Sequence, residues 1–168
     1  MTADAARPSS ADRPQDKSVD DDIDRLLLSE LLRDGRATFT HLAGVTGLSV
    51  SAVQARVRRL ESRGVISGYR AIVDPEAIGL PLSAFVEITP LDPAQPDDAP
   101  ERLAHLSAIE ACLSVAGEAS YMLFVRVPSP RMLEELLREI RAAANVNTRT
   151  TVALQTFYEG RPPELPTA

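Results

Sequence analysis

The chain has 168 residues, with 18 basic and 24 acidic side chains and a formal net charge of −6. Its hydrophobic content of 44% suits one globular domain or two small ones. The single cysteine, Cys112, excludes an intrachain disulfide and a multi-thiolate metal site, and we predict neither a metal nor a cofactor. The first residues lack the apolar run of a secretory signal, and no apolar stretch approaches the roughly 20 residues that span a bilayer. We therefore expect a cytoplasmic protein without a membrane partner.

The chain begins with residues 1–18, which are rich in Ala, Asp, Ser and Pro and predict a disordered tail. The next segment, from Asp20 to Arg33, has apolar residues at helical spacing and predicts a first helix. Acids crowd its start, where the helix dipole favours negative charge. A carboxylate cluster can also bind a metal ion, but helix-start electrostatics is the preferred interpretation. The acids are Asp20, Asp21, Asp22 and Asp24.

Two further helices joined by a tight turn are predicted next. The first runs from Phe39 to Val45 and ends at Gly47. The second begins at Ser49, a favourable N-cap, and ends at Gly64, which takes a left-handed conformation at no steric cost. Its one apolar side and its opposite basic side are typical of a helix-turn-helix. The apolar side contains Val53, Val57 and Leu60.

The charge of this segment supports a nucleic-acid site. Between Ser49 and Arg70 there are five basic residues and one acid, Glu61, a local net charge of +4 in an acidic chain. Such a basic island is typical of a polyanion-binding surface, although an ordinary solvated helix face is the alternative. The short apolar runs at 65–66 and 71–73 predict a small wing or linker strand.

The predicted DNA contacts follow from the chemistry of each side chain on the second helix. Gln54 suits adenine, Arg58 suits guanine, and Ala52 suits a thymine methyl, so we expect these residues and Ser51 at base edges. Arginines and helix-start hydroxyls suit phosphates. Arg56 lies near the buried side, so a structural role that orients the helix is an equal alternative. The predicted phosphate contacts are Thr38, Ser49, Arg56, Arg59 and Arg63.

The C-terminal part alternates strands and helices after a turn-rich segment at 74–81. The order strand–helix–strand–strand–helix–strand predicts a ferredoxin-like sheet of four antiparallel strands with both helices on one face. The strands carry apolar residues on both sides, so we expect a homodimer that buries the open faces of two sheets. The predicted strands are 83–89, 109–116, 121–127 and 148–158, and the predicted helices are 101–106 and 130–144.

Short motifs in the same order along the chain resemble the Lrp/AsnC family of feast/famine transcription regulators. The resemblance covers about residues 19 to 158. The motifs are DDIDR at 21–25, DGR at 34–36, LA at 42–43, GLS at 47–49, RVRRLE at 56–61, GVISGY at 64–69 and TRT at 148–150.

The resemblance implies an α+β protein with a winged helix-turn-helix DNA-binding domain at 19–73, a hinge at 74–81 and an amino-acid-sensing and oligomerisation domain at 82–158. Residues 159–168 are then a C-terminal tail. Family members are similar in forming dimers that assemble into octamers, and their effector binds at a dimer–dimer edge. Family members usually have Leu where this chain has Asp20.

The resemblance also implies an effector site in the turn that precedes Tyr121. The family pattern Gly-X-X-Asp-Tyr is here Gly117 to Tyr121 with Ser120 in place of the acid. Ser120 cannot offer a full charge to an α-ammonium group, and Glu118, two residues earlier in the same turn, is the candidate for that charge. Backbone amides of this turn suit a carboxylate. A plain polar hairpin turn is the alternative. The expected effector contacts are Val115, Gly117, Glu118, Ser120, Thr148 and Thr150.

These features predict a sequence-specific DNA-binding transcription regulator that an amino acid modulates. One alternative is an architectural DNA-binding protein that needs no effector. An enzyme is disfavoured because neither Cys112 nor the two histidines, His41 and His105, have a neighbouring catalytic partner in the sequence. A module that binds amino acids without DNA is disfavoured by the basic residues at 56–63.

Overall fold

The computed structural model describes Val19 and residues 21–165, so the predicted tail at 1–18 and the predicted helix start at Asp20 lie outside the described residues. The described residues form two compact units, one of residues up to 71 with those from 160, and the other of residues 72–159. The elements are α1 (Asp22–Arg33), α2 (Phe39–Thr46), α3 (Val50–Ser62), β1 (Leu82–Pro90), α4 (Ala99–Leu103), β2 (Ile109–Ser114), β3 (Tyr121–Val127), α5 (Pro130–Ala144) and β4 (Val146–Val152).

The first helix starts two residues later than predicted. One carboxylate oxygen of Asp21 accepts hydrogen bonds from the amides of Ile23 and Asp24, at 2.8 and 3.2 Å. Asp21 is therefore the N-cap of α1, and the helix begins at Asp22. The helix dipole was the predicted reason for acids at this helix start, and the capping bond adds a second reason for Asp21.

The predicted helix-turn-helix is formed by α2 and α3. The hydroxyl of Ser49 accepts from the amide of Ala52 at 3.2 Å, so the predicted cap of α3 is present, and the hydroxyl of Thr38 caps α2 in the same way by accepting from the amide of His41 at 3.1 Å. Gly47 ends α2 in a left-handed conformation with φ of 69°, which lets the chain turn at once into α3. The core of this unit contains Leu27, Leu42, Val53 and Val57.

The end of α3 explains why the predicted wing strand is wrong. Gly64 has φ of 66°, and the amides of Val65 and Ile66 donate to the carbonyl of Leu60 at 2.9 and 3.2 Å. This capping arrangement folds the two apolar residues back onto the helix. Ile72 in the second predicted run is 85% exposed. Residues 63–81 are all described and contain no strand. None of the four strands of the structure pairs with this segment.

The second unit has the predicted ferredoxin-like sheet, in the order β2-β3-β1-β4 with every pair antiparallel. Val86 of β1 lies opposite Leu123 of β3 and Thr150 of β4, which sets the register. Both helices pack on one face, where alternate strand residues are buried. The core contains Ala84, Val86, Ile88, Leu103, Leu123, Val125, Leu133, Leu136 and Ile140.

Several predicted boundaries differ from the structure. The last strand was predicted at 148–158 but is Val146–Val152, because its last partner on β1 is Ala84 and only one further amide, that of Ala153, bonds across to Ser83. The short helix starts at Ala99, since Pro100 is tolerated in a first turn. The second strand stops at Ser114, two residues early, where the turn to β3 begins.

The other face of the sheet carries no helix. Phe85 on this face is 43% exposed, and its ring centroid lies 5.2 Å from that of Phe124. Leu113 is 55% exposed. The C-terminal segment 153–159 crosses one end of the face, borders a groove of about 500 Å³, and pairs Glu159 with Arg126 at 2.8 Å. The rest of the face remains open in the described residues.

Candidate nucleic-acid interface and effector site

The start of α3 presents the side chains that were predicted at base edges. Ser51 is exposed, and its hydroxyl lies 3.1 Å from that of the capping Ser49. Ala52 and Gln54 are partly exposed. Arg58 is exposed one turn further on, and it forms neither a hydrogen bond nor an ion pair with any described residue. Val53 and Val57 are buried on the other side of the helix and anchor it in the core.

The other two arginines of the RVRR motif contact α1. Arg56 Nη1 donates to Asp24 Oδ1 at 2.7 Å and to Asp21 Oδ2 at 2.9 Å. Arg59 Nη2 donates to Asp24 Oδ2 at 2.7 Å. The Asp24 side chain is 3% exposed, whereas those of Arg56 and Arg59 are 25% and 51% exposed. The basic side of α3 is thus divided between paired guanidiniums and the unpaired Arg58.

This ion-pair group shifts the pKa of its members. The hydrogen bond from Arg56 holds the pKa of Asp21 below its usual value, with the amide of Asp24 as the next cause. The hydrogen bonds to Asp24 and then to Asp21 raise the pKa of Arg56. Both shifts favour the charged forms. Sequence reasoning missed that Asp21 and Asp24 also pair with the arginines of α3. The only signal was the spacing, since the two acids lie three residues apart and so do Arg56 and Arg59.

The remaining predicted phosphate contacts lie at helix ends. Thr38 and Ser49 are exposed caps of α2 and α3, and Arg63 is the partly exposed C-cap of α3. Near them, His41 Nε2 lies 3.2 Å from Glu30 Oε2, a partner that the sequence did not indicate. This exposed pair connects α2 to α1.

The predicted effector turn lies between β2 and β3. The amide of Val115 donates to the carbonyl of Ser120 at 3.1 Å, and the amide of Ser120 donates to the carbonyl of Ile88 at 3.0 Å. These bonds close the turn and anchor it to β1. Gly117 and Glu118 at its tip are exposed, and no described residue accepts a hydrogen bond from their amides. The tip can therefore offer backbone donors to an anion.

The two predicted threonines lie on β4, on the sheet face that the helices cover. Thr148 is opposite Ile88, which in turn is opposite Tyr121, so Thr148 lies in the same row of the sheet as the end of the turn. Its hydroxyl accepts a 3.0 Å hydrogen bond from Arg141 of α5. Thr150 lies one row further from the turn. Both threonines are partly exposed.

Tyr121 has a partner that sequence reasoning missed. Its hydroxyl donates to Asp97 Oδ1 at 2.6 Å, and this bond, with burial of the ring, raises the pKa of Tyr121 to about 12. Asp97 lies in the proline-rich loop before α4, where no local pattern marked it. The structure thus adds a carboxylate beside the turn.

Across residues 19 and 21–165, no three His, Cys, Asp or Glu side chains lie close enough to hold a metal ion. None of the helices within these residues is long and apolar enough to cross a membrane.

Both units match known domains. Residues 21–61 match the AsnC-type helix-turn-helix domain, and residues 83–163 match the Lrp/AsnC ligand binding domain. The chain belongs to the Lrp/AsnC family. It is therefore a transcription regulator with an N-terminal DNA-binding domain and a C-terminal ligand-binding domain.

Curated relatives of this Lrp/AsnC regulator cover most of its length. It is 65% identical over 141 residues to the HTH-type transcriptional regulator LrpA of Mycobacterium tuberculosis, covering 84% of this chain and 94% of that protein. It is 38% identical over 140 residues to the leucine-responsive regulatory protein of Escherichia coli, covering 80% and 85% of the two chains.

Solved Lrp/AsnC structures share the fold. A feast or famine regulatory protein from M. tuberculosis, solved in complex with L-methionine, superposes with a TM-score of 0.83 at 64% identity over 85% of this chain and 99% of that chain. The LrpC structure from B. subtilis superposes with a TM-score of 0.73 at 33% identity, over 82% and 96% of the two chains.

Proposed function

We propose that this Lrp/AsnC regulator binds a free amino acid in its C-terminal domain, and that the bound amino acid changes its affinity for specific DNA sites. The observation that carries the proposal is the exposed turn tip with unbonded amides at Gly117 and Glu118, inside the segment that matches a ligand binding domain. The complex of the M. tuberculosis relative with L-methionine supports an amino acid as the ligand class. Coupling of this kind is typically worth about 1–3 kcal/mol.

The proposed effector contacts are divided by charge. The amides of Gly117 and Glu118 bind the α-carboxylate, and the Glu118 carboxylate binds the α-ammonium group in place of the acid that Ser120 replaces. Val115 contacts the apolar part of the ligand. Because the site is open in one chain, a neighbouring subunit completes it. Hydroxyls that contribute are those of Ser120, Thr148 and Thr150.

The proposed DNA contacts assign different roles to the arginines of α3. Arg58 reads a base, with Ser51, Ala52 and Gln54 beside it. Arg59 is half exposed, so its remaining nitrogens reach a phosphate while Nη2 stays on Asp24. Arg56 orients the helix, which its two carboxylate partners support. Thr38, Ser49 and Arg63 complete the proposed phosphate contacts.

The proposed assembly is a homodimer that buries the open sheet faces, with octamers built from dimers. The exposed Phe85 and Leu113 support this assembly because a sheet with one bare apolar face gains stability when a second sheet covers it. A two-fold dimer presents two copies of α3 to DNA half-sites. We place its action on chromosomal DNA in the cytoplasm and assign it no catalytic step, in keeping with relatives that are named transcriptional regulators.

The test of the effector is a thermal-shift screen of the twenty amino acids at millimolar concentration, since a ligand that binds the folded state raises the unfolding midpoint. We expect one chemical class to raise it. In Gly117→Asp the introduced carboxylate opposes the ligand carboxylate, and the shift is lost. The Cβ of residue 117 meets nothing within 4 Å, so the substitution fits the fold. Gly44→Asp, at an equally open position in α2, is the matched control and keeps the shift.

A second candidate function is an architectural DNA-binding protein that needs no effector. The observation that favours it is the turn itself, where Ser120 replaces an acid and the Tyr121 hydroxyl is already bound to Asp97. The same screen separates the two. If DNA raises the unfolding midpoint of the protein but no amino acid does, the architectural function replaces the proposed one.

A further inference from the structure

We infer that Asp24 is a positioning residue for DNA recognition: its buried carboxylate fixes the rotation of α3 by holding Arg56 and Arg59. The inference rests on the DNA-binding function proposed above. It adds a residue that does not touch DNA and assigns it control of sequence discrimination.

The burial of Asp24 is the first observation. Among the described residues it is the one charged residue that is almost wholly buried, with 2% of its surface exposed. An isolated carboxylate in such a position is strongly unfavourable, so burial requires partners. Both of its oxygens have one, at 2.7 Å in each case, within the range of strong charge-assisted hydrogen bonds.

The geometry of the partners is the second observation. Arg56 and Arg59 lie three residues apart on α3 and reach the same carboxylate from neighbouring turns. Two bonds from successive turns to one fixed point resist rotation of the helix about its axis. Apolar contacts of Val53 and Val57 hold the helix against the core but are less directional than these bonds.

The anchoring of the carboxylate is the third observation. Asp21 caps α1 through one oxygen and accepts from Arg56 through the other. Its first oxygen also accepts from the amide of Asp24. The start of α1 is therefore fixed at the same place where it holds α3. A buried ion pair is a poor source of stability compared with apolar packing, and its best-attested benefit is to specify one geometry.

The consequence concerns Arg58. It lies between the two held arginines in the sequence and forms no bond with described residues, so its direction depends on the rotation of α3. A small rotation moves the guanidinium away from a base edge but leaves the general positive charge of the helix in place. Loss of Asp24 therefore removes sequence discrimination, whereas non-specific binding to phosphates persists.

The test compares Asp24→Asn with Asp22→Asn in the full chain. Asp22 is exposed on the same helix start and has no described partner, so it matches the charge change without touching α3. The affinities are measured for a duplex that the wild-type protein selects from a random pool and for a shuffled duplex. We expect Asp24→Asn to lower the ratio of the two affinities by roughly 10-fold or more, comparable to a lost base contact, and Asp22→Asn to leave the ratio unchanged.

The ratio separates positioning from simple unfolding, because a smaller folded fraction lowers both affinities equally. An unchanged ratio in Asp24→Asn overturns the inference, whether or not the two affinities fall together. A wild-type protein that selects no duplex overturns the proposed DNA-binding function itself.

A second variant, Arg56→Gln, tests the same inference if Asp24→Asn folds poorly. Salt dependence is the additional measurement, because each phosphate contact contributes about 0.9 to the slope of log affinity against log salt concentration. We expect a lower affinity ratio with an unchanged slope. A slope that becomes shallower while the ratio is kept identifies Arg56 as a phosphate contact and overturns the inference.

Discussion

The hydroxyl of Tyr121 donates a 2.6 Å hydrogen bond to Oδ1 of Asp97, which joins the first residue of β3 to the loop before α4. Tyr121 directly follows the proposed effector turn, and its ring is buried against the core of the second unit. The bond therefore fixes one end of the turn while the tip stays open.

This bond predicts a late-titrating tyrosine. The pKa of Tyr121 is raised from 10.0 to about 12, so its neutral form is favoured in the folded state. Its contribution to stability is complete below pH 10 and is lost as the pH rises towards 12. An absorbance titration of tyrosinate should show a step near pH 12 that Tyr121→Phe removes. Asp97→Asn should move that step to lower pH, and an unmoved step would contradict the assignment.

Arg58 is expected to discriminate between bases. Arg58→Lys keeps the positive charge but loses the planar fork that binds guanine through two hydrogen bonds. We expect it to lose about 1–3 kcal/mol on a selected duplex and little on a shuffled one. Arg58→Ala should weaken binding to both. Equal losses for Arg58→Lys on the two duplexes would mean that Arg58 contacts only phosphate.

The open sheet face is expected to hold the dimer together. Phe85→Glu places a charge among apolar side chains on that face, so burying it against a second sheet becomes unfavourable. Light scattering after size-exclusion chromatography should then give the monomer mass. Met132 is equally exposed, at 42% against 43%, but lies on α5, so Met132→Glu is the control that should keep the wild-type mass. A Phe85→Glu dimer would exclude this face as the interface.

Arg126 is expected to stabilise the second unit. Its side chain is 10% exposed, its Nη2 donates to both carboxylate oxygens of Glu159 at 2.9 and 2.8 Å, and it lies 5.2 Å from the Phe124 ring centroid. Arg126→Gln should lower the free energy of unfolding in urea by about 2 kcal/mol, because the half-exposed carboxylate of Glu159 loses a largely buried partner. Arg138→Gln, which breaks an exposed 3.6 Å pair, should cost about 0.5 kcal/mol or less.

Local signals in the sequence predicted most of the fold. The helix α5 was predicted with its correct ends, because Ser129 caps it and Pro130 is its first residue. The strand β3 was also predicted with its correct ends, because a turn precedes a run of seven mostly apolar residues. The wing strand failed because β-branched residues predict a strand only where a partner backbone exists. The last strand was predicted too long for the same reason, since β1 offers it no partner beyond Ser83.

The sequence by itself determined that α3 is the basic helix of a DNA-binding motif, because caps, helical spacing and local charge all lie within a few residues of one another. It did not decide which of its arginines pair with α1. That depends on Asp24, which lies 32 and 35 residues before Arg56 and Arg59 and reaches them only once α1 packs against α3. Ion pairs between distant residues leave no periodic pattern in the sequence, so the tertiary structure alone separates the paired arginines from Arg58.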